Sequence, residues 1–237
     1  MKNFVSYFLL LLLTNILTTA PEKNSKTILL ASQNAAEFSI EPSTATIYKN
    51  IENHSTSMPR LESFTQALEG FNNLRAKGLV SKNILTVIDF SLSSTVERLW
   101  IIDLNTNTVL IHSLVSHGMK SGLAFATNFS NAKNSHKSSL GFYATGESYI
   151  GKHGLSLRLD GLEKGTNNNA RARGVVIHGA NYSNPLFLQS QTYLGRSQGC
   201  PAVPEKLSAT IIKMIKDKSC LFIYHPSRDL NMASKLI

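Results

Sequence analysis

The sequence predicts a mainly antiparallel β domain with peripheral helices, and three observations carry that expectation. At least five apolar runs have the length of strands, only two stretches have helical spacing, and the two kinds do not alternate as a doubly wound sheet would require. The 237 residues, 42% hydrophobic and 16% charged, suffice for one substantial domain with its own core.

The chain opens on a targeting pattern. Lys2 precedes an almost unbroken apolar stretch from Phe4 to Leu17, and Thr18-Thr19-Ala20 supplies small residues for cleavage, so residues 1–20 are expected to be a signal peptide. The stretch is shorter than the roughly 20 residues that span a bilayer, which favours a cleaved signal. Pro21 sits awkwardly for cleavage after Ala20, so an uncleaved anchor stays open as the one route to a membrane. No cysteine follows the run to carry a lipid. The expectation is an exported protein of the periplasm or cell envelope.

Residues 21–57, rich in Ser, Thr, Asn, Ala and Lys without sustained periodicity, are expected to be a linker or flexible lead-in. In residues 58–83 a helix starts at Pro59: Leu61, Phe64, Leu68, Phe71 and Arg75 follow three- and four-residue steps, and Gly78 is a natural stop. This helix should pack on the main domain, residues 84–230. There Leu85–Phe90, Leu99–Leu104 and Thr108–Val115 read as strands, the last two joined by the polar connection Asn105-Thr106-Asn107. Ser116 to Asn169 is full of Gly, Ser and Asn; so long a stretch is either functional or hides short strands. Val175–His178 reads as a strand, Pro204 starts a helix carrying Leu207, Ile211, Met214 and Ile215, and Cys220–Tyr224 is the last strand.

The net charge of +9, from 24 basic and 15 acidic residues, admits nucleic acid, an anionic membrane or an anionic polymer as partner. The basic residues are spread along the chain and no nucleic-acid motif is present, so nucleic acid is not expected. An acidic cell-wall polymer suits an exported chain, and a merely solvated basic surface fits equally well.

Only two cysteines occur, and in an oxidising compartment an even count suggests a Cys200–Cys220 bridge. Cys220, however, opens an apolar strand, where a free cysteine behaves as a small hydrophobe. The preferred reading makes Cys220 structural and Cys200 a free, reactive thiol. Cys200 ends the turn-rich run Gly195-Arg196-Ser197-Gln198-Gly199-Cys200-Pro201, with His178 at a strand end twenty-two residues upstream. A thiolate nucleophile with an imidazole base needs just these two groups. The same run satisfies G-x-S-x-G, but that serine elbow requires a strand directly before and a helix directly after, and neither is expected here. His117 and His153, each beside a glycine in the long irregular stretch, could line the same site. Metal-ligand spacing is absent, so no metal is expected.

Arg173-Gly174-Val175-Val176-Ile177-His178-Gly179, followed by Gly195 to Pro201, resembles the catalytic core of bacterial L,D-transpeptidases, in the murein L,D-transpeptidase catalytic domain branch. The resemblance extends upstream through His117-Gly118, Phe129-Ser130-Asn131, Ser138-Ser139-Leu140-Gly141 and Gly151-Lys152-His153-Gly154, and covers about residues 84–225. It implies a β-sandwich-like catalytic domain in which Cys200 is the nucleophile and His178 the base. By the same resemblance the Gly179 backbone orients the imidazole and amides around Gly199 and Cys200 hold the oxyanion. Arg196, Ser197, Gln198, His117 and His153 are the candidate substrate contacts. The implied function is acyl transfer on peptidoglycan stem peptides, by transpeptidation or carboxypeptidation, with no cofactor and with carbapenems as covalent inhibitors. The widespread family motif reads Ser-His-Gly-Cys where this chain has Ser197-Gln198-Gly199-Cys200. That departure keeps an alternative open: an inactive peptidoglycan-binding protein using the same groove.

Overall fold

A computed structural model describes residues 43–228. The expected signal peptide and the first part of the expected lead-in lie outside the described residues. Those from 43 onward hold eight strands: β1 Ile84–Asp89, β2 Leu99–Asp103, β3 Thr108–Ser113, β4 Gly141–Gly151, β5 Gly154–Gly161, β6 Val176–Ala180, β7 Ala202–Pro204 and β8 Cys220–Tyr224. They form one sheet in the order β3-β2-β1-β8-β4-β5-β6-β7. Every pairing is antiparallel except β1 with β8 and β6 with β7. The domain is mainly β with a few helices, as the sequence predicts.

Strand alternation builds a core on each side of the sheet. Along β8, Leu221 and Ile223 join Ile88, Leu99, Ile101, Leu157, Ile177 and Val203 on one face. Cys220, Phe222 and Tyr224 join Leu85, Val87, Trp100, Ile102 and Phe142 on the other. Buried on both faces, β8 is apolar throughout and β1 is so apart from Thr86 and the terminal Asp89, which is why they are visible from sequence alone.

Each face is closed by one helix. Helix α3 (Glu205–Ile215) buries Ile211, Ile212 and Ile215 against the first core. Helix α2 (Leu61–Ala76) buries Phe64, Ala67, Leu68, Phe71 and Leu74 against the second, while Leu61 stays exposed. A Cβ on Gly70 would lie 1.9 Å from the Phe142 ring, so only glycine lets α2 approach β4 this closely. The helix ends as Gly78 foretells. Its φ is +69°, and the Leu79 and Gly78 amides return to the Leu74 and Arg75 carbonyls, both at 2.9 Å, in a Schellman closure.

One segment differs from the sequence reading, and a second holds the strands that the reading allows for. Residues 43–57 fall in the expected linker, yet Thr44–Asn50 forms a short helix, α1, capped by Ser43. Ile47 and Tyr48 pack on the α2 core, and the Tyr48 hydroxyl donates to the Pro59 carbonyl at 2.7 Å. Three apolar side chains over seven residues are too few to show a period; packing on α2 supplies the rest. The long Ser116–Asn169 stretch contains β4 and β5, joined by a tight turn at Lys152–His153. Glycines at both ends of β4 and a register shift between Thr145 and Ser148 hide its alternation.

Both sheet edges are bridged by residues outside the named strands. Glu52 pairs with Thr108 beside β3, and Ser116 pairs with Ala202 beside β7. Proline at 201 and 204 removes two further amide donors around β7.

Candidate active site

Parallel pairing of β6 with β7 sets His178 opposite Ala202, which brings Cys200 alongside Val176. The Val176 amide donates to the Cys200 Sγ at 3.4 Å, and the thiol points back to the Gly174 carbonyl at 3.7 Å. Val176 and His178 are two residues apart on one strand, so their side chains share a face. Cys200 and His178 accordingly line the same cleft, of about 420 Å³. Cys200 is half-buried and Cys220 fully buried, and both are free thiols. Cys220 sits in the α2-side core, so no Cys200–Cys220 bridge exists.

The turn that presents Cys200 is held from four directions. Gly199 has φ +126°, and a Cβ there would come 2.9 Å from the Lys137 carbonyl oxygen, so glycine is required. The Ser197 hydroxyl accepts from the Gly199 amide at 3.0 Å and donates to the Cys200 carbonyl at 2.6 Å. The Ser138 hydroxyl donates to the Gly199 carbonyl at 3.0 Å. Ser197 also exchanges backbone hydrogen bonds with His117 and Met119. These bonds make Ser197 a brace of the turn, although it also faces the cleft, and no strand precedes it as a serine elbow would need. The Gly199 amide, expected at the oxyanion, is committed to Ser197. Among the described residues the Cys200 amide, like that of Gln198, donates no hydrogen bond and is free to meet a developing charge.

His178 is 2% exposed, and its Nδ1 lies 2.9 Å from the Gly179 carbonyl. A carbonyl only accepts, so Nδ1 carries the proton and the Nε2 lone pair is free to take another. The Gly179 backbone thus does orient the ring. Desolvation pushes the His178 pKa below the ordinary histidine value, the Gly179 bond opposes this, and nearby His153 adds to it. The two rings stack with centroids 4.4 Å apart at 22°. Burial raises the Cys200 thiol, opposed by the Val176 amide and by the charge of Arg173. Both shifts favour the uncharged forms of the thiol and of the imidazole.

Of the other expected contacts, Arg196, Gln198 and His153 line the cleft. His117 does not. It is wholly buried, its Nδ1 accepting from Arg98 at 2.8 Å and its Nε2 facing the Gly122 carbonyl at 3.4 Å. Burial first, then the Arg98 charge, holds its pKa down at about 4. Its partner Arg98 is itself fully buried and lacks an ion pair among the described residues, so His117 serves the core as a neutral acceptor.

Sequence reasoning passed over Arg173 as a site residue. Its guanidinium lines the cleft and donates to the Ser130 carbonyl at 2.8 Å, the Lys137 carbonyl at 2.6 Å, the Ser135 hydroxyl at 3.1 Å and the Ser139 hydroxyl. All four acceptors are neutral, so the positive charge remains in force next to the thiol. The signal was its position, five residues before His178 and on the same approach to the cleft. Among the described residues no three of His, Cys, Asp and Glu gather as metal ligands would.

A family model described as "L,D-transpeptidase catalytic domain" matches residues 55–224. No curated protein matches the chain. Among solved structures, an L,D-transpeptidase from Mycobacterium smegmatis is similar at 15% identity and TM-score 0.37, over 60% of this chain and 59% of that one. The L,D-transpeptidase LdtMt1 in complex with imipenem gives 14% and 0.37, over 61% and 60%. The helical cell shape determining protein Pgp2 from Campylobacter jejuni gives 13% and 0.39, over 64% and 54%. The chain thus spans less than two thirds of the length of each.

Proposed function

Because residues 55–224 make this chain a member of the L,D-transpeptidase catalytic domain family, we propose that it is an exported cysteine acyltransferase of peptidoglycan stem peptides. The observation that carries this reading is the meeting, in one cleft, of the Cys200 thiol with a neutral His178 whose Nε2 is free.

In the first step the Cys200 Sγ attacks the carbonyl at the L-centre of diaminopimelate in a tetrapeptide stem. His178 Nε2 takes the thiol proton as the S–C bond forms, the activation that a thiol above its ordinary pKa requires. The tetrahedral oxyanion draws on the Cys200 amide. His178 then gives its proton to the departing amine, the C–N bond breaks, and D-alanine leaves behind a thioester. An acceptor amine, or water, next attacks the thioester as His178 removes its proton; the C–S bond breaks and His178 returns the proton to the departing Cys200 sulfur. An amine yields a cross-link; water yields a trimmed stem. Export to the periplasm or envelope follows from the substrate and from the signal-like residues 1–20.

A second reading, a wall-binding protein that does not acylate, is favoured by two observations: the thiol is raised by burial, and no imidazole stands at position 198. Intact mass after incubation with a carbapenem, and separately with disaccharide-tetrapeptide, decides between them. The expected result is a covalent drug adduct and D-alanine release in the native protein, both lost in Cys200→Ala. No adduct and no release from a protein with a free thiol would overturn the enzyme and leave the binder.

A further inference from the structure

The cleft beside Cys200 is charged in one sense only. Its ionisable lining other than Cys200 and its two tyrosines is Lys152, Arg173, Arg196, His136, His153 and His178, without a single Asp or Glu. Elsewhere four arginines are neutralised: Arg60 pairs with Asp89 at 3.1 Å, Arg158 and Arg171 with Glu147 at 2.9 and 3.0 Å, and Arg228 with Glu163 at 2.9 Å, whereas Arg75 and the buried Arg98 have no ion pair among the described residues. The two cleft arginines hold only neutral oxygens. Arg196 donates to the Gly122 and Met119 carbonyls, at 3.1 and 3.4 Å, and lies over the Tyr193 ring. Lys152, exposed at the β4–β5 turn, makes no ion pair among the described residues. In the same cleft the Nδ1 of His136 is buried without a hydrogen-bond partner.

Each of these features is costly in a free protein and relieved by one class of ligand. Like charges gathered in a concave site repel one another and focus a positive potential. A buried nitrogen without a partner forfeits its hydrogen bond. A carboxylate offers acceptor oxygens to both the ammonium and the ring nitrogen, through the stronger, charge-assisted kind of hydrogen bond. Arg173 and Arg196 are already fixed by carbonyls and hydroxyls, so they supply field, whereas Lys152 and His136 supply unfilled valences.

We infer that Lys152 and His136, backed by the charges of Arg196 and Arg173, form a carboxylate-binding subsite that holds a free carboxylate of the acyl donor beside Cys200. This rests on the reading of Cys200 as the acylated nucleophile, and it adds that the donor must be anionic close to the bond that is cut. An amidated donor would leave the lysine and the histidine as empty as in the free protein.

The test uses Cys200→Ala, which cannot acylate, titrated with N-acetyl-D-alanine and with its carboxamide while amide resonances are followed by NMR. The carboxylate should give saturable shifts around residues 152–154 and 134–137, with the carboxamide about tenfold weaker or worse. Adding Lys152→Gln should remove most of that difference. Equal binding of both probes, no saturable shift with either, or a preference that survives Lys152→Gln would overturn the subsite. In parallel, the protein with Cys200 intact is alkylated with iodoacetamide. A thiol inert to it, alongside a clear carboxylate preference in the titration, would sink the nucleophile and leave the subsite standing.

Discussion

Cys220 opens β8, opposite Leu85 of β1, and Cys200 lies in the turn before β7. Burial raises both thiols above the ordinary cysteine value, so desolvation does not separate them. What separates them is company. Around Cys220 there is only hydrocarbon and aromatic ring, Leu85, Phe142 and Phe222 among them. Around Cys200 there are an amide donor, an unneutralised guanidinium and a cleft shared with an imidazole. A nucleophile is made by donors placed where negative charge will form, and a buried sulfur without them is a piece of core.

The largest expected effect breaks the comparison outright. Cys200→Ala should abolish both D-alanine release and drug acylation while leaving the melting transition in place. Cys220→Ala should keep the activity and cost about 1–2 kcal/mol in chemical denaturation, from the cavity left in the core. His178→Gln comes next, with an expected drop of about 10²–10⁴ in the acylation rate, read by stopped-flow with a chromogenic β-lactam, and little change in stability. Gly199→Ala forces a side chain into φ +126° against the Lys137 carbonyl. It should destabilise the protein by about 1–3 kcal/mol and slow acylation with the fold retained. An unchanged rate in that variant would mean that the turn geometry does not matter to the thiol.

The smallest effect sharpens the electrostatics. His153→Phe keeps a ring on His178 but removes a group that lowers the His178 pKa. With the pKa raised, His178 is protonated over a wider acidic range and accepts no proton there. The acidic limb of the rate profile should therefore move to higher pH, with the plateau little altered. A downward shift would reverse the assigned sign.

The central strands were legible because they are buried on both faces and so are predominantly apolar; β1, β2 and β8 needed no tertiary knowledge. The β4–β5 hairpin was not, since glycines and polar residues interrupt its pattern and its stability comes from neighbouring strands. In the site, Cys200 and His178 could be read from turn residues beside a thiol and a histidine at a strand end. His117 misled for a physical reason. A histidine next to glycine in an irregular segment looks poised for a ligand, yet here it answers the hydrogen-bonding need of buried Arg98, which sits in a different strand connection. Arg173 shows the reverse: an arginine in a polar run reads as solvated surface until the fold wraps the serine-rich loop 130–139 around it.

The bridge at Ser116 occupies the outer side of the short strand β7, and the prolines at 201 and 204 blunt that edge further. An extended peptide arriving next to Cys200 thus finds no vacant row of amides to extend the sheet by β-augmentation. Recognition on this side falls to side chains and to the charged termini of whatever is bound.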